Sequence, residues 1–206
     1  AWRAARRGKG CVMTPDVLIP LARTTLREPR RAAETILSWQ LSRETLWTAM
    51  ALVAALYTFV LSLLIALTPS TLNLPGYAAS PLALFVLVAG IMVVYVHAAY
   101  WTGLATGGSG TLDGLLAVMV WLQVMRAVAE LALIVLSFVM PAMATLASIV
   151  LTGWSLWVML HFLVAALHLP SMGKAFLVLV LSGIGLVVGL GILLALIGLT
   201  AQGVLN

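Results

Sequence analysis

Two charged residues in the middle of a long apolar stretch are the residues of this chain most suited to chemistry. Arg126 and Glu130 are four residues apart, and Gln123 precedes Arg126 by three. On a helix these positions share one face, so the guanidinium and the carboxylate can pair. An unpaired charge at the middle of a bilayer costs about 2.5–3.5 kcal/mol, so pairing inside a bundle is expected. Two interpretations stay open: a polar site for an ion, a proton or a lipid headgroup, or an ion pair that fixes helix packing.

The histidines and the cysteine do not have the spacing of a metal site. His97, His161 and His168 lack the pattern of zinc ligands, and hydrogen bonds between helices or an interfacial position suit them better. A single cysteine, Cys11, excludes an intramolecular disulfide and a multi-cysteine site. The residue sets of hydrolases, glycosidases and nucleotide-binding proteins have no counterpart here. We therefore predict no metal, no cofactor and no enzymatic activity.

A glycine-rich loop follows the second apolar segment. Residues 107–111 read Gly-Gly-Ser-Gly-Thr, which resembles a phosphate-binding loop only in composition. No lysine follows the loop and no strand precedes it, although both belong to that motif. We expect a flexible link, with Thr111 or Asp113 helping to cap the next helix.

The apolar segments themselves define the fold class. The 206 residues are 63% hydrophobic and only 8% charged, whereas a soluble chain needs more charges to cover its surface. Five apolar segments reach the roughly 20 residues that span a bilayer. They lie at residues 45–67, 81–105, 112–140, 144–167 and 174–200. The predicted fold is all-α: a polytopic membrane bundle of five transmembrane helices with a short amphipathic cytoplasmic N-terminal segment.

The basic residues are distributed very unevenly, which predicts the orientation. Nine of the eleven Lys and Arg residues precede Trp47. Basic segments stay on the cytoplasmic side, so loops 106–112 and 168–174 are expected inside and the other two outside. Lys174 in an inner loop agrees with this assignment. We expect a multi-pass protein of the cell inner (plasma) membrane, with a cytoplasmic N-terminus and a periplasmic C-terminus.

Three regions follow from these patterns. Residues 1–12 are predicted to be a leader or a mis-assigned start, because Met13 opens a stretch that reads like a natural N-terminus. Residues 13–44 form the cytoplasmic amphipathic segment, and residues 45–206 form the five-helix transmembrane domain.

The segment 13–44 is predicted to contain two short helices divided by Pro29, with Pro20 interrupting the apolar face of the first. These helices can lie on the bilayer or pack beneath the bundle, and both alternatives stay open. Because the charge is beside the membrane, we expect anionic lipid as its partner and no nucleic acid. The predicted headgroup contacts are Arg23, Arg27, Arg30, Arg31 and Arg43.

The fifth apolar segment carries glycines at a helix-packing spacing. Gly185 and Gly189 form a small-x-x-x-small pair, and Gly183 and Gly191 flank it. Small residues at this spacing allow two helices to approach closely. The partner helix can belong to the same chain or to a second copy.

Several short stretches resemble the bacterial branch of the YIP1 family. They read Arg-Glu-Pro-Arg-Arg-Ala-Ala at 27–33, Gly-Gly-Ser-Gly-Thr-Leu at 107–112, Trp-Leu-Gln at 121–123 and Leu-Pro-Ser-Met-Gly-Lys-Ala at 169–175. The resemblance implies an integral membrane protein of five helices with a cytosolic N-terminus. Eukaryotic relatives act in vesicle trafficking, membrane shaping and association with small GTPases. Their acidic Asp-Leu-Tyr-Gly-Pro motif has no clear counterpart in this chain.

The function predicted from these observations is non-catalytic: a YIP1-type membrane protein that organises the membrane or its partner proteins. The alternatives are a small transporter or channel that uses Arg126 and Glu130, and an accessory subunit of a larger membrane complex. The expected partners are anionic membrane lipids, together with other membrane proteins or a second copy of the chain.

Overall fold

The computed structural model of the chain describes residues 15–67 and 80–204, and within these ranges it contains seven helices and no strand. The helices are α1 (Pro15–Arg27), α2 (Pro29–Ser38), α3 (Arg43–Leu67), α4 (Pro81–Ala105), α5 (Leu112–Val139), α6 (Pro141–Leu167) and α7 (Met172–Val204). The predicted all-α fold is confirmed. The proposed leader at residues 1–12 lies outside the described residues.

Helices α3 to α7 are long and apolar enough to cross a membrane, so the chain is a multi-pass membrane protein. Their ends differ from the predicted segments by at most four residues. The largest difference at a start is in α6, which begins at Pro141 because proline suits the first position of a helix. Helix α5 has 28 residues and is therefore about 42 Å long, against about 30 Å for the hydrocarbon core.

The five long helices pack with α5 against α6, α4 against α7, and α3 against both α4 and α5. One end of the bundle carries the α4–α5 and α6–α7 turns, and we call it the charged end. The largest fully buried side chains of α5 and α6 cluster there, and they include Leu115, Leu116, Phe162, Leu163 and Leu167. Towards the opposite end, large apolar side chains are exposed, among them Val135, Phe138, Val139, Ile149 and Val150. This pattern is expected when the charged end extends into water and buries its apolar side chains, whereas the sides of the remaining bundle contact lipid.

The two N-terminal helices pack onto the charged end, which decides between the two alternatives for this segment. The α2 side chains of Ala32, Ala33 and Ile36 are buried, and α2 packs mainly against α6. Thr25 of α1 is fully buried, and Trp121 Nε1 of α5 donates a hydrogen bond of 2.9 Å to its Oγ1. Both helices therefore share one core with the membrane bundle.

Pro20 does not interrupt the apolar face of α1, contrary to expectation. It lies inside the helix on the exposed side, while Leu21 and Thr25 point into the core. Proline at this position deprives α1 of one backbone hydrogen bond, yet the helix continues through it to Arg27.

The glycine-rich loop is a close-packed turn, so the prediction of a flexible link is wrong. Ser109 N donates to the Leu167 carbonyl at 2.9 Å, which ties the turn to the end of α6. A Cβ at Gly110 would overlap the Ala166 carbonyl oxygen, and Gly107 has a φ of +92°. Glycine is required here because the backbones touch. The predicted cap is confirmed, since the Thr111 side chain accepts a hydrogen bond from Gly114 N.

Candidate functional site

A polar cluster joins the middle of α3 to the middle of α5. Arg126 Nη2 lies 3.2 Å from Glu130 Oε1, one helical turn further along α5. The Tyr57 hydroxyl of α3 donates a hydrogen bond of 3.2 Å to the same carboxylate oxygen. The Arg126 and Glu130 side chains are 41% and 28% exposed, so the cluster lies at a boundary of the bundle. One carboxylate thus accepts hydrogen bonds from two helices.

Tyr57 was missed by the sequence reasoning, and Gln123 is not part of the cluster. The sequence does contain a signal for Tyr57: it is a tyrosine in the middle of an apolar span. A buried tyrosine hydroxyl usually has a hydrogen-bond partner, so a polar partner on another helix could have been expected. Among the described residues, no hydrogen bond joins Gln123 to Arg126 or Glu130. Gln123 instead lines a cavity with Arg126.

This cavity lies among the five long helices α3 to α7, and its volume is about 340 Å³. Its walls are mostly apolar, with Tyr95, Gln123 and Arg126 as the polar lining. The Tyr95 hydroxyl and Arg126 Nε are buried and have no hydrogen-bond partner in the described part of the chain. Ser182 is close enough to the Tyr95 hydroxyl for a weak interaction without regular hydrogen-bond geometry, and the Ser182 hydroxyl itself donates to the Leu179 carbonyl at 3.1 Å.

The arginines predicted to contact lipid are all exposed at or near the charged end. Three of them form ion pairs on the surface. The pairs are Arg30–Glu34 at 3.5 Å, Arg31–Glu28 at 2.6 Å and Arg43–Asp113 at 4.0 Å. Exposed pairs of this kind contribute about 0–1 kcal/mol, so they hold these side chains only weakly. The arginines remain able to contact other anions.

A crevice of about 510 Å³ separates the α1–α2 turn from α6 and the α6–α7 turn. Arg27, Glu28 and Arg30 line one side, with Glu28 paired to Arg31, and Trp157, His161 and Ser171 line the other. The His161 ring meets the Trp157 ring edge-on at 4.7 Å, and its Nδ1 lies 2.8 Å from the Trp157 carbonyl. Within residues 15–67 and 80–204, the other ring nitrogen of His161 makes no hydrogen bond. The crevice combines two guanidinium groups with an indole ring, a set suited to an anionic group beside an apolar chain.

A comparison with protein-family models identifies the family of this chain. The model described as the Yip1 domain matches residues 23–194, which is most of the chain. The chain belongs to the Yip1 family. No curated protein and no solved structure matches it.

The Yip1 domain match includes more than the membrane bundle. It begins at Arg23 in α1, so both the headgroup-contact arginines and the Arg126–Glu130 pair lie within it. The boundary placed at residue 44 from composition therefore falls inside the family domain, in agreement with the shared core of α2 and α6.

The remaining predicted positions lie apart from these sites. Among the residues that the structure describes, no three His, Cys, Asp or Glu side chains form a group that could hold a metal ion. His97 stacks on Trp47 with ring centroids 6.1 Å apart, and His168 ends α6 in a left-handed conformation. Four glycines of α7 face open space, because a Cβ added to any of them would have no neighbouring atom within 4 Å in the described chain. They are Gly183, Gly185, Gly189 and Gly191. Their close approach to a helix of the same chain is not observed.

Proposed function

We propose that this Yip1-family protein is a non-catalytic organiser of the membrane, and that its charged end binds anionic lipid on the cytoplasmic side of the inner (plasma) membrane. The observation that carries the proposal is the rigid attachment of α1 and α2 to the bundle. The Thr25–Trp121 hydrogen bond and the buried Ala33 and Ile36 hold the arginines of these helices at a defined height.

That height coincides with a membrane surface. The first 20 residues of α6, from Pro141 to Leu160, cover about 30 Å, which is the thickness of the hydrocarbon core. His161 and Trp157 then fall at the boundary where headgroups begin. The rest of α6 extends into water, and α2 covers it with apolar side chains. With the hydrocarbon core placed along these 20 residues, the crevice between α2 and α6 would lie at the level of lipid phosphates.

Charge favours an anionic headgroup in this crevice, because its one carboxylate, Glu28, is paired with Arg31 and leaves two arginines in excess. A basic residue near an anionic bilayer surface contributes about 1 kcal/mol, and this attraction decreases with salt. Arg27 has no carboxylate partner among the described residues, and Arg30 has only the exposed pair with Glu34. Trp157 supplies an amphipathic ring of the type found at membrane interfaces. Together these groups support a phosphate between the arginines and an acyl chain along α6.

The charged residues allow a test with a matched control. The full-length protein is purified in mild detergent with phosphatidylglycerol and phosphatidylcholine, and the lipids it retains are counted by native mass spectrometry. Arg27→Gln/Arg30→Gln is compared with Arg23→Gln/Arg43→Gln, which removes the same charge outside the crevice. In each double variant one arginine has an ion-pair partner, Glu34 or Asp113, and the other has none in the described structure.

We expect the crevice variant to lose about 30-fold in preference for phosphatidylglycerol, the equivalent of two basic residues. The control variant should retain most of the preference. If both double variants lost the same preference for phosphatidylglycerol, the lipid would bind to the basic surface in general and not to the crevice. A wild-type protein that retains both lipids equally would refute the role of anionic lipid altogether.

We also propose that the protein associates with other membrane proteins or with a second copy of itself. The glycines of α7 support this proposal, because the space in front of Gly185 and Gly189 is open along a helix that crosses the bilayer. Glycine at this spacing lets a second helix approach closely in lipid.

A further inference from the structure

We propose that the cavity among helices α3 to α7, which Tyr95 and Arg126 line, binds the acyl-ester portion of a neutral lipid. The ester carbonyl would accept hydrogen bonds from Tyr95 and Arg126, and the acyl chain would lie against the apolar wall. This site uses different residues from the crevice and does not depend on the proposed function.

The walls of the cavity are suited to a flexible apolar chain. Four methionines line it, one each from α3, α4, α5 and α6: Met50, Met92, Met119 and Met159. Methionine is unbranched and polarisable, so it adapts to ligands without a fixed shape. The volume of about 340 Å³ is more than twice the roughly 150 Å³ of an engineered apolar cavity that holds benzene. The space fits an ester group with a short length of acyl chain.

The polar atoms of the cavity require a hydrogen-bond acceptor. Arg126 Nε carries one N–H, and the Tyr95 hydroxyl can donate one hydrogen bond. Both atoms are buried without a partner among the described residues. A buried donor with no acceptor is unfavourable, and such atoms in a native structure indicate water or a ligand. Gln123, on the same wall, can add a third donor.

The charge balance favours a neutral acceptor over an anion. Glu130 already lies 3.2 Å from the Arg126 guanidinium, so this pair has no net charge. A carboxylate or phosphate in the cavity would leave one negative charge uncompensated at low dielectric constant. An ester carbonyl accepts the same hydrogen bonds without that penalty. This distinguishes the cavity from the crevice, where the arginines favour a phosphate.

The test uses photolabelling of the purified full-length protein in detergent. The probe is a monoacylglycerol with a diazirine in the acyl chain and a terminal alkyne. Two matched probes have the same chain: an ether analogue without the carbonyl, and the free fatty acid with a negative charge. Labelled peptides are identified by mass spectrometry. We expect the ester probe to label residues 91–96 and 116–126 about 30-fold more than the ether analogue, the effect of two hydrogen bonds of about 1 kcal/mol each, and also more than the charged fatty acid.

Two variants on α5 separate the cavity from the lipid-facing surface. Val120→Trp fills the cavity and should abolish labelling of these peptides, because Val120 lines it. Val128→Trp is the control, since Val128 is 64% exposed on the outside of the same helix. Tyr95→Phe removes one of the two donors, so it should lower the selectivity for ester over ether about fivefold, and it serves as a second variant if Val120→Trp does not fold. Any one of three results would overturn the proposal. The Val120→Trp and Val128→Trp proteins could be labelled equally, the ester and ether probes could label the wild-type protein equally, or the labels could be confined to other peptides.

Discussion

At the scale of single residues, the Arg126–Glu130 pair joins helices as well as balancing charge. Glu130 Oε1 accepts from Arg126 on its own helix and from Tyr57 on α3. In the described structure a single oxygen of the carboxylate is therefore bonded to side chains of two helices. This arrangement supports the interpretation that the pair fixes the packing of α3 on α5.

Loss of one charge should be more damaging than loss of both. Glu130→Gln leaves the Arg126 guanidinium uncompensated in the membrane, and we expect it to lower the free energy of unfolding by about 3 kcal/mol. Arg126→Met/Glu130→Gln removes both charges and should recover most of that loss. Tyr57→Phe removes one hydrogen bond and should cost about 1 kcal/mol. Unfolding in detergent measures all three, and a double variant no more stable than Glu130→Gln would contradict this account.

At the scale of helices and turns, glycines with similar sequence surroundings have opposite roles. Gly103 and Gly110 lie where α4 and the glycine-rich turn touch the end of α6. A Cβ at Gly103 would be 2.5 Å from the Leu167 side chain, which can move, whereas at Gly110 it would meet backbone. Gly185 of α7 faces open space. The cost of a substitution therefore depends on what lies in front of each glycine.

We expect Gly110→Ala to destabilise the protein severely, because the Ala166 backbone cannot move aside without shifting the end of α6. Gly185→Ala should leave the midpoint of thermal unfolding unchanged or raise it, since alanine is the better helix former by about 1 kcal/mol. Gly185→Leu extends this test to association: it should retain the fold but lose a second copy or partner that copurifies in mild detergent. Equal midpoints for Gly110→Ala and Gly185→Ala would show that the turn is not close-packed.

At the scale of the whole molecule, the bundle differs between its two ends. The charged end has a packed core that α1 and α2 cover, and the other end exposes Phe138, Val139 and Met140. Helix α5 is about 12 Å longer than the hydrocarbon core is thick, and in the proposed orientation this excess would extend from the charged end. The N-terminal helices therefore cover the part of the bundle that leaves the lipid.

The orientation of these two ends can be measured directly. In a Cys11→Ser background, single cysteines replace Ser109, in the exposed turn of the charged end, or Asn73, which lies between α3 and α4 in the sequence. A membrane-impermeant maleimide should label the Asn73→Cys protein in intact cells and the Ser109→Cys protein only after permeabilisation, because the basic end stays inside. The reverse pattern would place the charged end outside.

The sequence by itself determined the features that depend on neighbouring residues. The five spans follow from the length of apolar segments, and the Arg126–Glu130 pair follows from the geometry of one helical turn. Only the tertiary structure decided which helix faces meet. Tyr57 and Glu130 are 73 residues apart, and Thr25 and Trp121 are 96 residues apart. Apolar spans look alike in one dimension, because lipid-facing and helix-facing positions are both hydrophobic. The packing of side chains between helices therefore decided the cavity, the close-packed glycine turn and the docking of α1 and α2.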